Sequence, residues 1–246
     1  MTPRIEILGI EVDALTHDAL FERIETAINN DEHCVVANHN LHSIYLYHHD
    51  DEMRNFYHNA DAIVVDGMSI IFLSRLRGLS LNGHHRLTWT DMLRPLISLA
   101  ADRGWRVFFL GSMPGVGNRA GNVLRSSSPH LQYQCRHGYF DAQQDGDENR
   151  QVIESINAFR PHILLVGMGM PRQEKWLLEN LGQLDCNVAC NVGACMDFVA
   201  GAKPLPPRWL GKFGLEWAYR LVREPARLFR RYLVEPWSLL RYLFRR

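Results

Sequence analysis

The chain is predicted to be an α/β protein: a Rossmann-like domain with a largely parallel sheet flanked by helices, followed by a basic helical C-terminal appendage. Two observations predict it. Apolar, β-rich runs recur through residues 1–202, and RVFFL, PHILLV and NVACNV end at Gly111, Gly167 and Gly193, each ahead of a helix-compatible stretch. Strand, glycine, helix, repeated, is the pattern of an open and largely parallel sheet. The second observation is how charge is divided. From Lys203 to Arg246 there are eleven Lys and Arg against three acidic residues, a net of +8, in a chain whose net charge is +0, so residues 1–202 carry −8.

The elements follow in order. IEILGIEVD is one or two short strands with a turn or bulge at Gly9. HDALFERIETAINN is an amphipathic helix with Leu20, Ile24 and Ile28 on one stripe. CVVAN is a strand and SIYLYHHDDEMRNFYHNA is helical. AIVV is a strand that ends at Asp66-Gly67, before a helix holding Ile70, Ile71 and Leu73. The turn-rich KPLPPRW, with its three prolines, marks a boundary between an α/β body (1–202) and an appendage (203–246). GLEWAYRLVRE and PARLFRRYLVEPWSLLRYLFRR are helical pieces, restarted by Pro225 and Pro236. There is no internal repeat.

At 246 residues and 46% hydrophobic, the chain can bury a sizeable core without staples. Its five cysteines are odd in number and form no CxxC pair, which favours reduced core thiols over disulfides or zinc. No secretory leader is expected from MTPRIEILGIEV, and no run of eighteen uncharged apolar residues occurs, so the chain can lie on a membrane but not span it as a simple helix. The appendage holds nine of the twenty-five aromatics, among them Trp209, Trp217 and Trp237. An acidic body with a basic, aromatic end suits anionic membrane or a phosphorylated, lipid-linked substrate. The tail's apolar residues suit self-association equally well. The paired histidines lack ligand partners at a recognised spacing, and Asp145-Gly-Asp147 lies in a polar loop far from any strand end. No metal site and no cofactor are expected.

In an open α/β sheet, ligands sit beyond the C-terminal ends of the strands. Asp66 stands at such an end, where a carboxylate can accept a proton from an attacking hydroxyl; its alternative role is to cap the next helix. VGMGMPRQEKW places Gly167 and Gly169 after a buried strand and Gln173 and Glu174 on a helix's first turn, an arrangement suited to a phosphate or sugar. GSMPGVGN (111–118) is a glycine-rich turn able to contact a nucleotide, but it has neither GxGxxG spacing nor a P-loop ending. Arg220, Arg223, Arg227 and Arg230 are spaced three, four and three apart, on one helical face unless Pro225 kinks it. Guanidinium forks match phosphate oxygens.

Together these motifs resemble the WecG/TagA/CpsF glycosyltransferase family (glycosyltransferase family 26). The likeness runs from about Ile7 to Leu233 through VANHN, VVDGMS, RLTWTD, FFLGSMPGV, HGYF, PHILLVGMGMPRQEKW, NVGACMDFVAG and GLEWAYRLVREPARLFRRYL. It implies a metal-independent, inverting transfer from a UDP-sugar to a polyprenyl-diphosphate-linked sugar, by a peripheral protein on the cytoplasmic face of the cell membrane, against its anionic inner leaflet. By resemblance Asp66 is the general base. Asn40, Arg86, Thr90, Asp91, Gly111, Gly169, Gln173 and Glu174 belong to the substrate site. Arg220, Arg227 and Arg230 close over the diphosphate.

Two motifs depart from the family. Asn38-His39-Asn40 stands where many members have Thr-Pro-Asn. Trp89 takes the glycine position of Thr-Gly-Thr/Ser-Asp, where it can stack on a sugar or fill core volume. Two other readings compete. A nucleic-acid binder would use the basic tail, but the body is acidic and no recognition motif appears, so no nucleic acid is expected as a partner. A nicotinamide-dependent oxidoreductase lacks its GxGxxG.

Overall fold

The computed structural model describes residues 4–207, 210 and 215–243. Trp209, Gly214 and the terminal Arg245 and Arg246 lie outside them.

The N-terminal run is two strands, β1 (Arg4–Ile7) and β2 (Ile10–Asp13), paired antiparallel. Leu8 and Gly9 join them with φ values of 54° and 71°, the left-handed pair a two-residue hairpin needs. Buried Asp13 accepts the Ile63 N–H at 2.7 Å and fixes the hairpin to the main sheet.

That sheet has six parallel strands among the described residues, in the order β4-β3-β8-β7-β5-β6. They are β3 (Cys34–His39), β4 (Ala62–Val65), β5 (Arg106–Gly111), β6 (Gln132–Arg136), β7 (Ile163–Gly167) and β8 (Val188–Asn191). Alternation along each strand feeds two cores. Val35, Ile63, Leu164 and Ala189 pack on one face, and Val36, Val64, Leu165 and Cys190 on the other. The sheet is the Rossmann-like one expected, with one strand the apolar runs did not announce. That is β6, an edge strand of sequence QYQCR that exposes Gln132 and Gln134. An edge strand needs no apolar run, so its pattern is mute.

Helices α1 (His17–Asn29), α2 (Leu41–His49), α3 (Asp51–His58), α4 (Met68–Leu76), α5 (Trp89–Arg103), α6 (Val116–Ser127), α7 (Asp147–Phe159), α8 (Arg172–Asn180) and α9 (Cys195–Val199) cover the sheet. In α1 the expected stripe buries Leu20 and Ile24, while Ile28 is half-buried and Ala27 takes its place inside. The helical stretch after β3 is two helices. Asp50 adopts an extended conformation between them, and its side chain accepts the Glu52 and Met53 N–H groups, starting α3 afresh. All five cysteines are unpaired, four of them buried.

The appendage comprises α10 (Glu216–Arg223), α11 (Pro225–Phe229), a π-helical turn (Arg230–Val234) and α12 (Glu235–Leu243). Pro225 opens α11 at its first position, where a missing N–H costs nothing. The appendage packs back on the body. Leu228 and Leu239 are 1% and 3% exposed, and Leu239 joins the core cluster that holds Ile44 of α2 and Ile70 of α4. The His48 and Tyr242 rings stack at 3.7 Å, and Arg86 bonds Glu216 at 2.9 Å.

The tightest latch is His42 Nδ1 to Glu235 Oε2, at 2.6 Å. Burial first, then the Arg231 charge, hold the imidazole below its usual pKa, so at neutral pH it donates as a neutral ring to a carboxylate. Glu235→Ala is expected to cost about 2 kcal/mol. Urea unfolding measures that loss, and limited proteolysis should cut the variant within the appendage first. An unchanged midpoint and cleavage pattern would show that the latch contributes nothing.

Candidate active site

The C-terminal ends of the parallel strands and the inner face of the appendage enclose a cleft of about 1170 Å³. Asp66 stands on its floor, just after β4. Its backbone N–H donates to His39 O at 2.8 Å, which ties it to the end of β3. The cap position of α4 is Gly67, with no side-chain cap bond, so the Asp66 carboxylate is not spent on the helix. Instead Oδ2 accepts from Asn38 Nδ2 at 3.3 Å. Burial raises the carboxyl to about 6, against the pull of the Arg220, Arg86 and Arg231 charges. The group is therefore ionised at neutral pH and close enough to it to take up a proton, as a general base must.

This shift has a sign that stability can test. The folded carboxyl binds its proton more tightly than the ordinary 3.8, so ionisation above about pH 6 opposes folding and that penalty vanishes below about pH 4. Asp66→Asn should raise Tm at pH 8 and leave it unchanged near pH 4. A variant that melts lower than wild type at pH 8 would contradict the raised carboxyl.

Asn40 caps α2. Its Oδ1 accepts the His42 and Ser43 N–H groups at 3.0 and 3.2 Å, leaving the amide N–H₂ as the group it can offer a ligand. Arg86 lines the cleft beside Asp66, because Leu87 N–H donates to Val65 O at 2.8 Å and draws that segment alongside β4. Thr88 and Thr90 share a hydroxyl contact at 3.0 Å, and Thr88 also donates to Asp91 Oδ2 at 3.0 Å. Thr90 faces the cleft, while Asp91 supports the start of α5 behind it. Trp89 belongs to the core yet also lines the cleft, and its indole N–H has no partner.

The glycines divide in the same way. A Cβ on Gly111 would come within 2.4 Å of Gly167 O, so this glycine lets β5 and β7 close on one another and does not line the cleft. Gly169 does line it, at φ 82° with open space where a Cβ would be. Gln173 Oε1 accepts the N–H groups of Gly169 and Gly193, each at 3.2 Å, and shapes the loop from β7 into α8. Its neighbour Glu174 is fully buried behind the cleft, so the structure does not bring that predicted residue to a ligand.

The appendage contributes Arg220, Arg223, Arg227 and Arg231 to the wall. Arg230 is exposed and faces away. The Pro225 restart and the π-helical turn rotate the stripe by one position, so Arg231 takes the inward place the even spacing assigned to Arg230. Arg220 lies 5.3 Å over the Phe198 ring, and the Nε atoms of Arg220, Arg231 and Arg86 are buried without partners. Unpaired guanidinium donors gathered above one carboxylate make a receptor for phosphate oxygens.

The sequence reading also missed Asn38 and Ser112, both lining the cleft, each with a buried oxygen lacking a partner. Asn38 had a signal, since it replaces the family's threonine, whereas Ser112 had none beyond its glycine-rich turn. His39, by contrast, is buried against Tyr57 with ring centroids 3.7 Å apart, and burial lowers it to about 3. Among the described residues no group of three His, Cys, Asp or Glu could hold a metal ion.

Residues 5–246 match the Glycosyl transferase WecG/TagA/CpsF family. The chain belongs to this family and is a glycosyltransferase. It is similar to the N-acetylglucosaminyldiphosphoundecaprenol N-acetyl-beta-D-mannosaminyltransferases of Staphylococcus aureus strains MRSA252 and MW2. Each is 27% identical over 239 residues, covering 93% of this chain and 88% of the relative. The match spans residues of the α/β body and the appendage alike, and membership sets aside the nucleic-acid and oxidoreductase readings.

Proposed function

We propose that this glycosyltransferase moves a sugar from a UDP-sugar to a polyprenyl-diphosphate-linked sugar, with inversion, in the assembly of a bacterial surface polysaccharide. The staphylococcal relatives are named for transfer of N-acetylmannosamine to such a lipid-linked acceptor. The observation that carries the reading is the raised carboxyl of Asp66 beneath the arginines of the appendage. In the proposed step, Asp66 takes the proton of the acceptor hydroxyl while that hydroxyl's oxygen attacks the anomeric carbon. The bond from that carbon to the diphosphate breaks, and UDP departs with the electron pair. Arg220, Arg227 and Arg231 meet the charge that grows on the leaving phosphate, a role for preorganised donors in a closed site. The start of α8 suits the donor side, since a helix N-terminus attracts phosphate and Gly169 leaves open space before it.

The same reading places the protein peripherally on the cytoplasmic membrane face. No helix among the described residues is long and apolar enough to cross a membrane. The appendage exposes Val222, Phe229, Val234 and Trp237 among its arginines, a combination suited to an anionic interface.

The test is a transfer assay with a panel of UDP-sugars and a short-chain lipid-diphosphate sugar, with the new anomeric centre read by NMR. The expected product is inverted at that centre and forms only with the lipid-linked acceptor. Retention of configuration, or no product with any donor, would end the proposal.

A further inference from the structure

We infer that Glu174 is a positioning residue for the transfer. From behind the cleft it fixes the side-chain amides of Gln173 and Asn191, and through them the strand ends that carry Asp66 and the β7–α8 loop.

The acceptor oxygens of Gln173 and Asn191 are already committed. Gln173 Oε1 accepts the Gly169 and Gly193 N–H groups at 3.2 Å, so its Nε2 must find an acceptor elsewhere. Asn191 Oδ1 accepts the Asn38 N–H at 3.1 Å, so its Nδ2 has the same need. Both donors converge on one atom, Glu174 Oε1, at 2.7 and 2.8 Å. Gln173, Glu174 and Asn191 are all fully buried, so no bulk water can replace a lost partner. A backbone N–H cannot accept, which fixes the orientation of each amide.

From Asn191 the chain of contacts runs forward. Asn38 donates its backbone N–H to Asn191 and accepts at its carbonyl from Tyr57 Oη at 2.9 Å. Held at both main-chain groups, it presents Nδ2 to Asp66. Glu174 thus sets the position of the base without touching substrate. The same atom holds Gln173, whose Oε1 gathers the turn after β7 to the turn after β8.

Only Oε1 of the carboxyl does this; Oε2 is buried without a partner. The role therefore calls for an acceptor of fixed shape rather than for a negative charge, and a glutamine can fill it. Its Oε1 keeps both bonds, and its amide nitrogen takes the unpartnered place.

Three variants test this, in the transfer assay with donor KM, kcat and the pH profile measured. Glu174→Leu should lower kcat by about 100-fold with little change in KM, the cost of misplacing a reacting group by about 1 Å. Its acid limb should also move up, because Asp66 loses a donor. Glu174→Gln should restore both kcat and the limb to within about threefold of wild type. Asn191→Ala, which cuts only the branch to Asn38, should show the same signature more weakly and serves if Glu174→Leu does not fold. Wild-type kcat and limb in Glu174→Leu or Asn191→Ala would overturn the inference. So would a Glu174→Gln as impaired as Glu174→Leu, since charge would then be the requirement. The inference rests on the transfer reading only for its assay: an inactive wild type counts against that reading, whereas an active wild type matched by Glu174→Leu counts against this one.

Discussion

Asp66→Asn is expected to fold and to lose about 10³-fold in kcat, the middle of the range for removal of a general base. Asparagine keeps the shape and can still meet Asn38, so the loss isolates proton transfer from packing. In wild type, the rate should rise with pH through the ionisation of Asp66 and level off above it, with the limb centred near pH 6. Below that pH the carboxyl holds its own proton and cannot accept another. The variant should have no such limb, and its residual rate should be flat there. Turnover within tenfold of wild type, or a limb that survives the substitution, would remove Asp66 from the reaction.

Arg231→Ala should cut kcat by about 10²-fold, while Arg230→Ala stays within about threefold of wild type. The two residues are neighbours in sequence with the same charge, so the pair of variants separates geometry from net charge. Arg231 is half-buried and lines the cleft, and Arg230 projects to solvent. A second effect has a fixed sign. Arg231 is one of the cations that draw the Asp66 carboxyl down, so its loss should move the acid limb to higher pH. Arg220→Ala should behave similarly, and the double variant should fall short of the product of the singles, because both cations act on the same charge. Equal losses in Arg230→Ala and Arg231→Ala would reduce the appendage to a diffuse electrostatic attractor.

The comparison of these two arginines shows where sequence reading stops. Even spacing along one helix is a local property, and it puts Arg220, Arg223, Arg227 and Arg230 on one face. The appendage is not one helix. Pro225 restarts it and a π-helical turn shifts its phase, and such a turn has no reliable signature in composition. The same limit applies to Glu174. On the first turn of a helix next to Gln173 it looks like a ligand residue, yet α8 turns it inward. There it meets Asn191, a residue 17 positions away at the end of β8. Asp66 went the other way. The chain alone leaves a helix-cap role open to it, and the structure closes that role by placing Gly67 at the cap position.

By itself the sequence determined the element types and the ends where chemistry gathers. Apolar, β-rich runs that end at a glycine ahead of a helix-compatible stretch suit buried parallel strands, and ligands gather where such strands stop. It also determined the family, because an ordered set of short motifs persists when each alone is weak. Which arginine faces the carboxylate, which carboxyl is raised and which is hidden, and how tightly the appendage is latched were decided by the tertiary structure. Those properties depend on burial and on distances between residues far apart in the chain, and electrostatic energy follows distance in space.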